Sequence, residues 1–378
     1  MLSFRTTGYN GYACKYSPFY DNKIAVATSA NYGLVGNGKL FILSINEDGS
    51  ISQDAAFDTQ DGLFDLSWSE AHENQVVTSS GDGTISLFDT TLPQFPIKKY
   101  AGHTREVFSV HWNLVDKSTF CTSSWDGTIG IWSPNRDEPL MRLIPPPTKT
   151  ETRVEPVQNP NAVPLSSNKP NVPNPQNDCI YQAVFSPHDP SLLISCNRAS
   201  HIQAWDIRSP QPLQLDFIAH GGLEALTCDF NKYRSSVIAS AGVDKSIKIW
   251  DLRMIQSLSQ PPPSAALGSP HHNVGPTPLN KLIGHDFAVR KINWSPHSGD
   301  MLLSASYDMT SRVWHDQTDH KARFLNNRFA HGQACKNIFH GHKEFVIGCD
   351  WSLWGDPGWV VTTGWDEMVY VWDSKRKY

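Results

Sequence analysis

His103, Ser124 and Asp126 bring an imidazole, a hydroxyl and a carboxylate into one stretch of this 378-residue chain. Together they are the groups of a nucleophilic hydrolase, in which a base activates the hydroxyl and an acid orients the base. The set recurs, however: His285 returns with Asp308, and His342 with Asp366. A hydrolase needs one such constellation in one cleft, whereas copies along the chain predict a buried polar network built into each repeated unit. The six residues are therefore read as structural. An Asp such as Asp126, just ahead of a Gly, accepts backbone and imidazole hydrogen bonds across a tight turn, and each buried donor left unpaired there would cost about 1–3 kcal/mol.

The elements that must hold these residues follow from the string SSWDGTIGIW at 123–132. It aligns with GDGTISLFD, GVDKSIKIWD, SYDMTSRVWHD and GWDEMVYVWD, in each of which an Asp precedes an aromatic residue by six positions. The pairs are Asp82/Phe88, Asp126/Trp132, Asp244/Trp250, Asp308/Trp314 and Asp366/Trp372, and two degenerate copies, Asn37/Leu43 and Ala199/Trp205, complete seven. Successive copies are 45, 44, 73, 45, 64 and 58 residues apart, by subtraction of those positions. The short steps match a WD-type blade of about 40–45 residues. Upstream of most copies lies an alternating segment such as GHTREVFSVHW, read as the inner strand of the blade.

Seven units of four short strands predict an all-β fold, a seven-bladed WD-repeat β-propeller that forms a single domain over 1–378, because radial closure leaves few exposed strand edges. Residues 2–6 are expected to supply the outer strand of the last blade and lock the ring. The long steps place insertions at 146–177, 255–278 and 317–335, read as mobile loops on composition. With an outer strand at 140–144, the first insertion leaves on the face of the connections between blades and the other two on the opposite face.

Counting back four positions from the aromatic position that closes each inner strand selects Tyr12, Phe64, Phe108, Tyr181, Leu226, Arg290 and Ile347. Taking the residues six, four and two before that aromatic as one strand face, these side chains should ring the mouth of the central channel. Glu106 and Glu224 fall two positions earlier, Asp61 and Glu344 one further, and Trp125, Tyr307 and Trp365 precede the turn Asp. Carboxylates that attract cations and aromatic walls that accept apolar side chains then meet on one rim. The chemistry that fits is a basic, amphipathic peptide, and a helix offering anchors at i, i+3, i+4 and i+7 would span such a mouth.

Composition narrows the classes further. A net charge of −5 argues against a protein built to grip phosphate backbones, so nucleic acid is not an expected partner. Seven scattered Cys without a CxxC pair suit free thiols in an intracellular protein, and neither a metal nor a cofactor is expected. Without an apolar run of spanning length, direct membrane insertion is not expected either. No phosphate-cradling Gly loop, HExxH or GxSxG is present, so no catalytic residues are assigned and the expected activity is binding, not catalysis.

The strings LVGNGKLFIL, TQDGLFDLSW, SSWDGTIGIW, GLEALTCDFNKY and SASYDMT closely resemble the fungal WD-repeat receptors for the type 2 peroxisomal targeting signal, the seventh peroxins, over essentially the whole chain apart from the Pro-rich insertions. The resemblance implies a non-enzymatic cargo receptor for matrix proteins such as thiolase. It further implies a fungal-type co-receptor, peroxisomal docking proteins, and shuttling between cytosol and peroxisome. On that reading the signal-binding residues are Asp61, Phe64, Glu106, Phe108, Trp125, Tyr181, Glu224, Tyr307, Glu344 and Trp365. A general WD scaffold, such as a ubiquitin-ligase substrate adaptor, is the alternative.

Overall fold

A computed structural model of the protein describes residues 1–33, 36–92, 95–146, 179–259, 276–318 and 334–377. Among these, seven four-stranded antiparallel sheets form the blades of a propeller, and in six of them the strands follow chain order from the inner edge outward. The first blade comprises Asn10–Tyr16, Lys23–Ser29, Gly38–Ile45 and Ile51–Thr59. The seventh is completed from the other end of the chain: Leu2–Arg5 pairs with Met368–Asp373, Leu2 opposite Val371 and Arg5 opposite Met368. The closing strand expected at 2–6 is present.

The inner strands are Asn10–Tyr16, Leu63–Trp68, Val107–Trp112, Ile180–Phe185, Ala225–Phe230, Val289–Trp294 and Val346–Trp351. All seven share one irregularity. Each pairing register skips a single residue, Tyr12, Phe64, Phe108, Tyr181, Leu226, Arg290 or Ile347, as a β-bulge does. This corrects the strand-face assumption of the sequence reading. With the bulge in place, the residues that pack together lie five, two and none before the closing aromatic, as in Val107, Val110 and Trp112 or Val289, Ile292 and Trp294. The position four before is the extra residue, released from the packed face.

Between the blades, clusters of buried apolar side chains make up the core, with Trp112, Trp132, Trp250, Trp294, Trp314 and Trp372 fully enclosed. The inner strands also bond sideways. Their edge N–H groups face the channel without a strand partner, and such buried donors must be paired. Side chains of the preceding blade accept them: Ser67 from Trp112 N (3.1 Å), His111 from Phe185 N (3.3 Å), Asp229 from Trp294 N (2.8 Å) and Asp350 from Tyr16 N (3.0 Å). Lys15 pairs with Asp350 at 2.9 Å, and Lys291 with Asp65 at 3.6 Å, so charges of both signs line the channel.

Most of the three expected insertions lies outside the described residues. The described parts add two facts: Leu252–Ser259 is a helix that anchors Ile255 in the core, and Cys335 opens the strand Cys335–Phe339. Residues 147–178 separate an outer strand, Met141–Leu143, from the next inner strand, while the other two segments separate third from fourth strands. These are connections at opposite ends of the strands.

Candidate functional site

The His and Asp residues lie where loops enter the inner strands and where the second and third strands turn. In the sixth blade, His285 Nδ1 lies 2.7 Å from Asp308 and Nε2 lies 2.7 Å from Ser304 Oγ, which also accepts Trp314 Nε1–H at 2.8 Å. His103 joins Asp126 (3.0 Å) and Thr122 (2.8 Å), with Trp132 on the same hydroxyl at 2.8 Å. His342 joins Asp366 (3.1 Å) and Thr362 (2.9 Å), with Trp372 at 3.3 Å. Ser124, the hydroxyl of the opening triad, instead bonds Arg105 O and the Asp126 backbone N–H.

A fourth such set escaped the sequence reading. His220 Nδ1 lies 2.9 Å from Asp244 and its Nε2 lies 2.9 Å from Ser240, which accepts Trp250 Nε1–H at 2.9 Å. His220 is followed by GG and lacks the GH dipeptide, but its spacing gives it away: 24 residues separate it from Asp244, against 23 or 24 in the other sets.

Burial holds the imidazoles of His220 and His285 below their ordinary value, against the pull of the neighbouring carboxylates. Burial alone would raise the carboxyls of Asp126, Asp244 and Asp308; hydrogen bonds from the adjacent His and from turn residues such as Thr128 and Thr310 bring them well below the carboxylate range. In the His285 set a neutral imidazole gives one consistent direction: Trp314 indole N–H to the Ser304 hydroxyl, that hydroxyl to Nε2, and Nδ1–H to Asp308. No open position for a substrate lies within the chain of bonds.

The bulge residues meet at the axis. Tyr12, Phe64, Phe108, Tyr181, Arg290 and Ile347 line one narrow void, whereas Leu226 packs into the core cluster beside Tyr181. Around them runs a continuous aromatic belt: Tyr307 touches Phe345 (ring centroids 5.0 Å), Phe345 touches Trp365 (5.3 Å) and Trp365 touches Tyr12 (5.9 Å). From Tyr12 it continues to Phe64 (5.3 Å), Phe108 (5.2 Å) and Tyr181 (5.8 Å), with Trp125 stacked on Phe108 at 5.1 Å. Phe64, Phe108, Trp125, Tyr307 and Trp365 are half-buried, and Tyr181 is nearly enclosed. The indole N–H groups of Trp125 and Trp365 are buried with no acceptor among the described residues.

Two belt members were missed. Phe345 follows Glu344 directly. Tyr32 stands 5.2 Å from Trp365 and is half exposed, on a turn where Asn31 and Tyr32 both have positive φ. Asn10 Oδ1 accepts Tyr32 N–H at 2.9 Å, and Tyr12 donates its hydroxyl to Tyr32 O at 2.8 Å. The first blade lacks the Asp-type turn, so no motif pointed there.

The carboxylates flank this belt in unlike states. Glu224 accepts the Tyr181 hydroxyl at 3.0 Å and faces Arg198 at 3.3 Å; Glu106 faces Arg105 at 3.4 Å. Arg105 also lies over the Trp125 ring, and Arg290 over Phe108 at 4.6 Å. The Asp61 carboxylate accepts the Gly62 N–H at 2.7 Å, and Glu344 is exposed; neither has an ion pair among the described residues. The mouth thus mixes both signs of charge, where the sequence reading expected a mainly acidic rim. Among the described residues, no cluster of three His, Cys, Asp or Glu could hold a metal, and no helix is long and apolar enough to cross a membrane.

The WD domain, G-beta repeat, family matches residues 94–133, 212–251, 276–315 and 333–373. The chain is 56% identical over 386 aligned residues to the peroxisomal targeting signal 2 receptor of Komagataella phaffii, covering all of both chains. It is 47% identical to the protein of that name from Saccharomyces cerevisiae, over 99% of this chain and all of the relative. The human protein of that name is 30% identical over 91% of this chain and 86% of its own.

Proposed function

Because the chain belongs to the family of peroxisomal targeting signal 2 receptors, we propose that its mouth seats that signal as a short amphipathic, cationic helix. The signal's apolar face lies on Phe64, Phe108, Trp125, Tyr181, Tyr307 and Trp365; its basic and imidazole groups meet Asp61, Glu106, Glu224 and Glu344. The role is binding, with no catalytic step. The observation that carries the reading is the continuous aromatic belt around a mouth flanked by those carboxylates. The two indole donors without acceptors support it, since a bound peptide carbonyl would relieve their cost.

A two-turn helix covers far less than the roughly 800 Å² per partner of a standard interface, so binding by the receptor alone is weak. A co-receptor closing over the exposed side of the helix supplies the remaining contact, and the ternary complex carries matrix proteins such as thiolase from the cytosol to the peroxisomal docking proteins.

The test replaces Asp61 and Glu106 separately by Arg, confirms folding by circular dichroism, and measures capture of a signal peptide with co-receptor present. Each substitution should weaken capture at least tenfold, about 1.4 kcal/mol. Unchanged capture by both variants rules out this use of the mouth.

A further inference from the structure

A second recess opens at the other end of the strands, on the seam where the seventh blade meets the first. Leu2, Ile45, Trp354, Trp359 and Val371 wall a cavity of about 240 Å³, with Tyr16 at its floor. Tyr16 ends its inner strand, whereas Tyr12 of that strand faces the mouth, so recess and mouth lie on opposite faces. The recess is held open by fixed structure. Trp354 reaches across the seam and donates its indole N–H to Ser17 O at 3.0 Å, and its loop is pinned by Ser352 Oγ on Trp354 N at 3.2 Å.

The size and charge of the recess select an occupant. At about 240 Å³ it falls below the roughly 300–1,000 Å³ of small-molecule sites and suits a single bulky side chain. Its walls are aromatic and aliphatic, so that side chain is apolar. Its rim carries carboxylates: Asp21 lines it and Asp356 follows the lining Gly355, both exposed and neither in an ion pair among the described residues, while Lys375 stands at Gly358 on the far end of the same loop. Exposed Leu353 precedes the wall residue Trp354 in the same loop, and exposed Phe19 lies two residues after Ser17, which accepts the Trp354 indole N–H. An apolar anchor with a Lys or Arg next to it satisfies both features.

We propose that this recess is a second docking site, which takes a bulky apolar side chain flanked by basic residues from a partner protein's peptide segment. Lying opposite the mouth, it is filled independently of the targeting signal, and one receptor holds cargo and this partner at once.

The probe is a fluorescein-labelled peptide, Lys-Arg-Trp-Arg-Lys, read by fluorescence anisotropy against the full-length receptor at low salt. Binding should fall at least tenfold when Trp in the peptide becomes Ala, or when its basic residues become Glu. It should fall as much in Asp21→Lys, which keeps wild-type thermal melting, and in Ile45→Arg, which places a cation in the recess and is measured below its own unfolding transition; both variants keep wild-type signal capture. Absence of binding to the wild type, or binding that survives both receptor substitutions, overturns the proposal. Loss of peptide binding in Glu106→Arg would assign the peptide to the mouth and also overturn it. A concentration-dependent dimer abolished by Ile45→Arg in analytical ultracentrifugation would assign the recess to a second copy instead. Failure of these tests leaves the signal-binding reading untouched, because none of the recess residues lies in the mouth.

Discussion

Ser304 shows what the polar residues of a blade do for the fold. Its hydroxyl is shared by two buried groups, His285 Nε2 and the Trp314 indole N–H, and both side chains are essentially solvent-free. Ser304→Ala keeps the packing volume nearly constant but strands both groups, at about 1–3 kcal/mol apiece. The expected outcome is a loss of about 2 kcal/mol or more in urea unfolding, with signal capture unchanged below the transition. A loss under about 0.5 kcal/mol, within the scatter of an ordinary surface substitution, would mean that the set contributes little to stability. The pairing of His285 with Asp308 was legible because the GH and Asp-turn positions repeat at fixed spacing. The hydroxyl and indole that complete it are common residue types on the second and third strands, and only the sheet register puts Ser304 opposite Arg312, two residues from Trp314.

At the scale of the strand and turn, one backbone device recurs where the sequence varies. The residue after the turn Asp, or its equivalent, has positive φ in six blades: Gly83, Gly127, Ser200, Lys245, Met309 and Glu367. Glycine takes this conformation freely; a side chain there costs about 1–2 kcal/mol, partly offset by the lower entropy of its unfolded chain. Met309 is 40% exposed, so Met309→Gly gives up little packing and should raise stability by about 1 kcal/mol, seen as a higher unfolding midpoint at unchanged slope. A lowered midpoint would show that the Met side chain earns its place in contacts. The inner-strand bulge illustrates the limit of reading from sequence. Alternation of apolar residues predicted the wrong shared face, because no residue type marks the skipped position: Tyr, Phe, Leu, Arg and Ile all occupy it. Six of the seven ring positions were still found, Leu226 excepted, since an identical bulge in every blade preserves a constant count from the closing aromatic. Tyr32 was lost for the opposite reason, as the first blade's turn is unlike the others.

The whole ring depends on one seam, because only the seventh blade is assembled from both ends of the chain. Across it the first inner strand packs tightly on the first two strands of the last blade: a Cβ on Gly11 would sit 1.8 Å from Thr363 Oγ1 on Trp359–Gly364, and one on Gly348 of the last inner strand would sit 2.9 Å from Ala13 Cα. Val107 and Val289, which hold the Gly11 position in the third and sixth blades, would not fit at Gly11. The seam is covered from outside by Leu2–Arg5, whose Leu2 and Phe4 pack against a cluster that includes Phe41, Val369 and Val371. Deleting residues 2–6 removes that apolar cover, uncovers the edge of Met368–Asp373 and opens the wall of the recess at Leu2. Partial burial of one Leu and one Phe, with the lost backbone hydrogen bonds, amounts to about 3 kcal/mol. The truncated receptor should therefore melt at a lower temperature by circular dichroism and associate through its bared edge, as light scattering would report. A melting temperature equal to that of the full chain would mean that the six intact blades and three remaining strands close the ring without their N-terminal clasp.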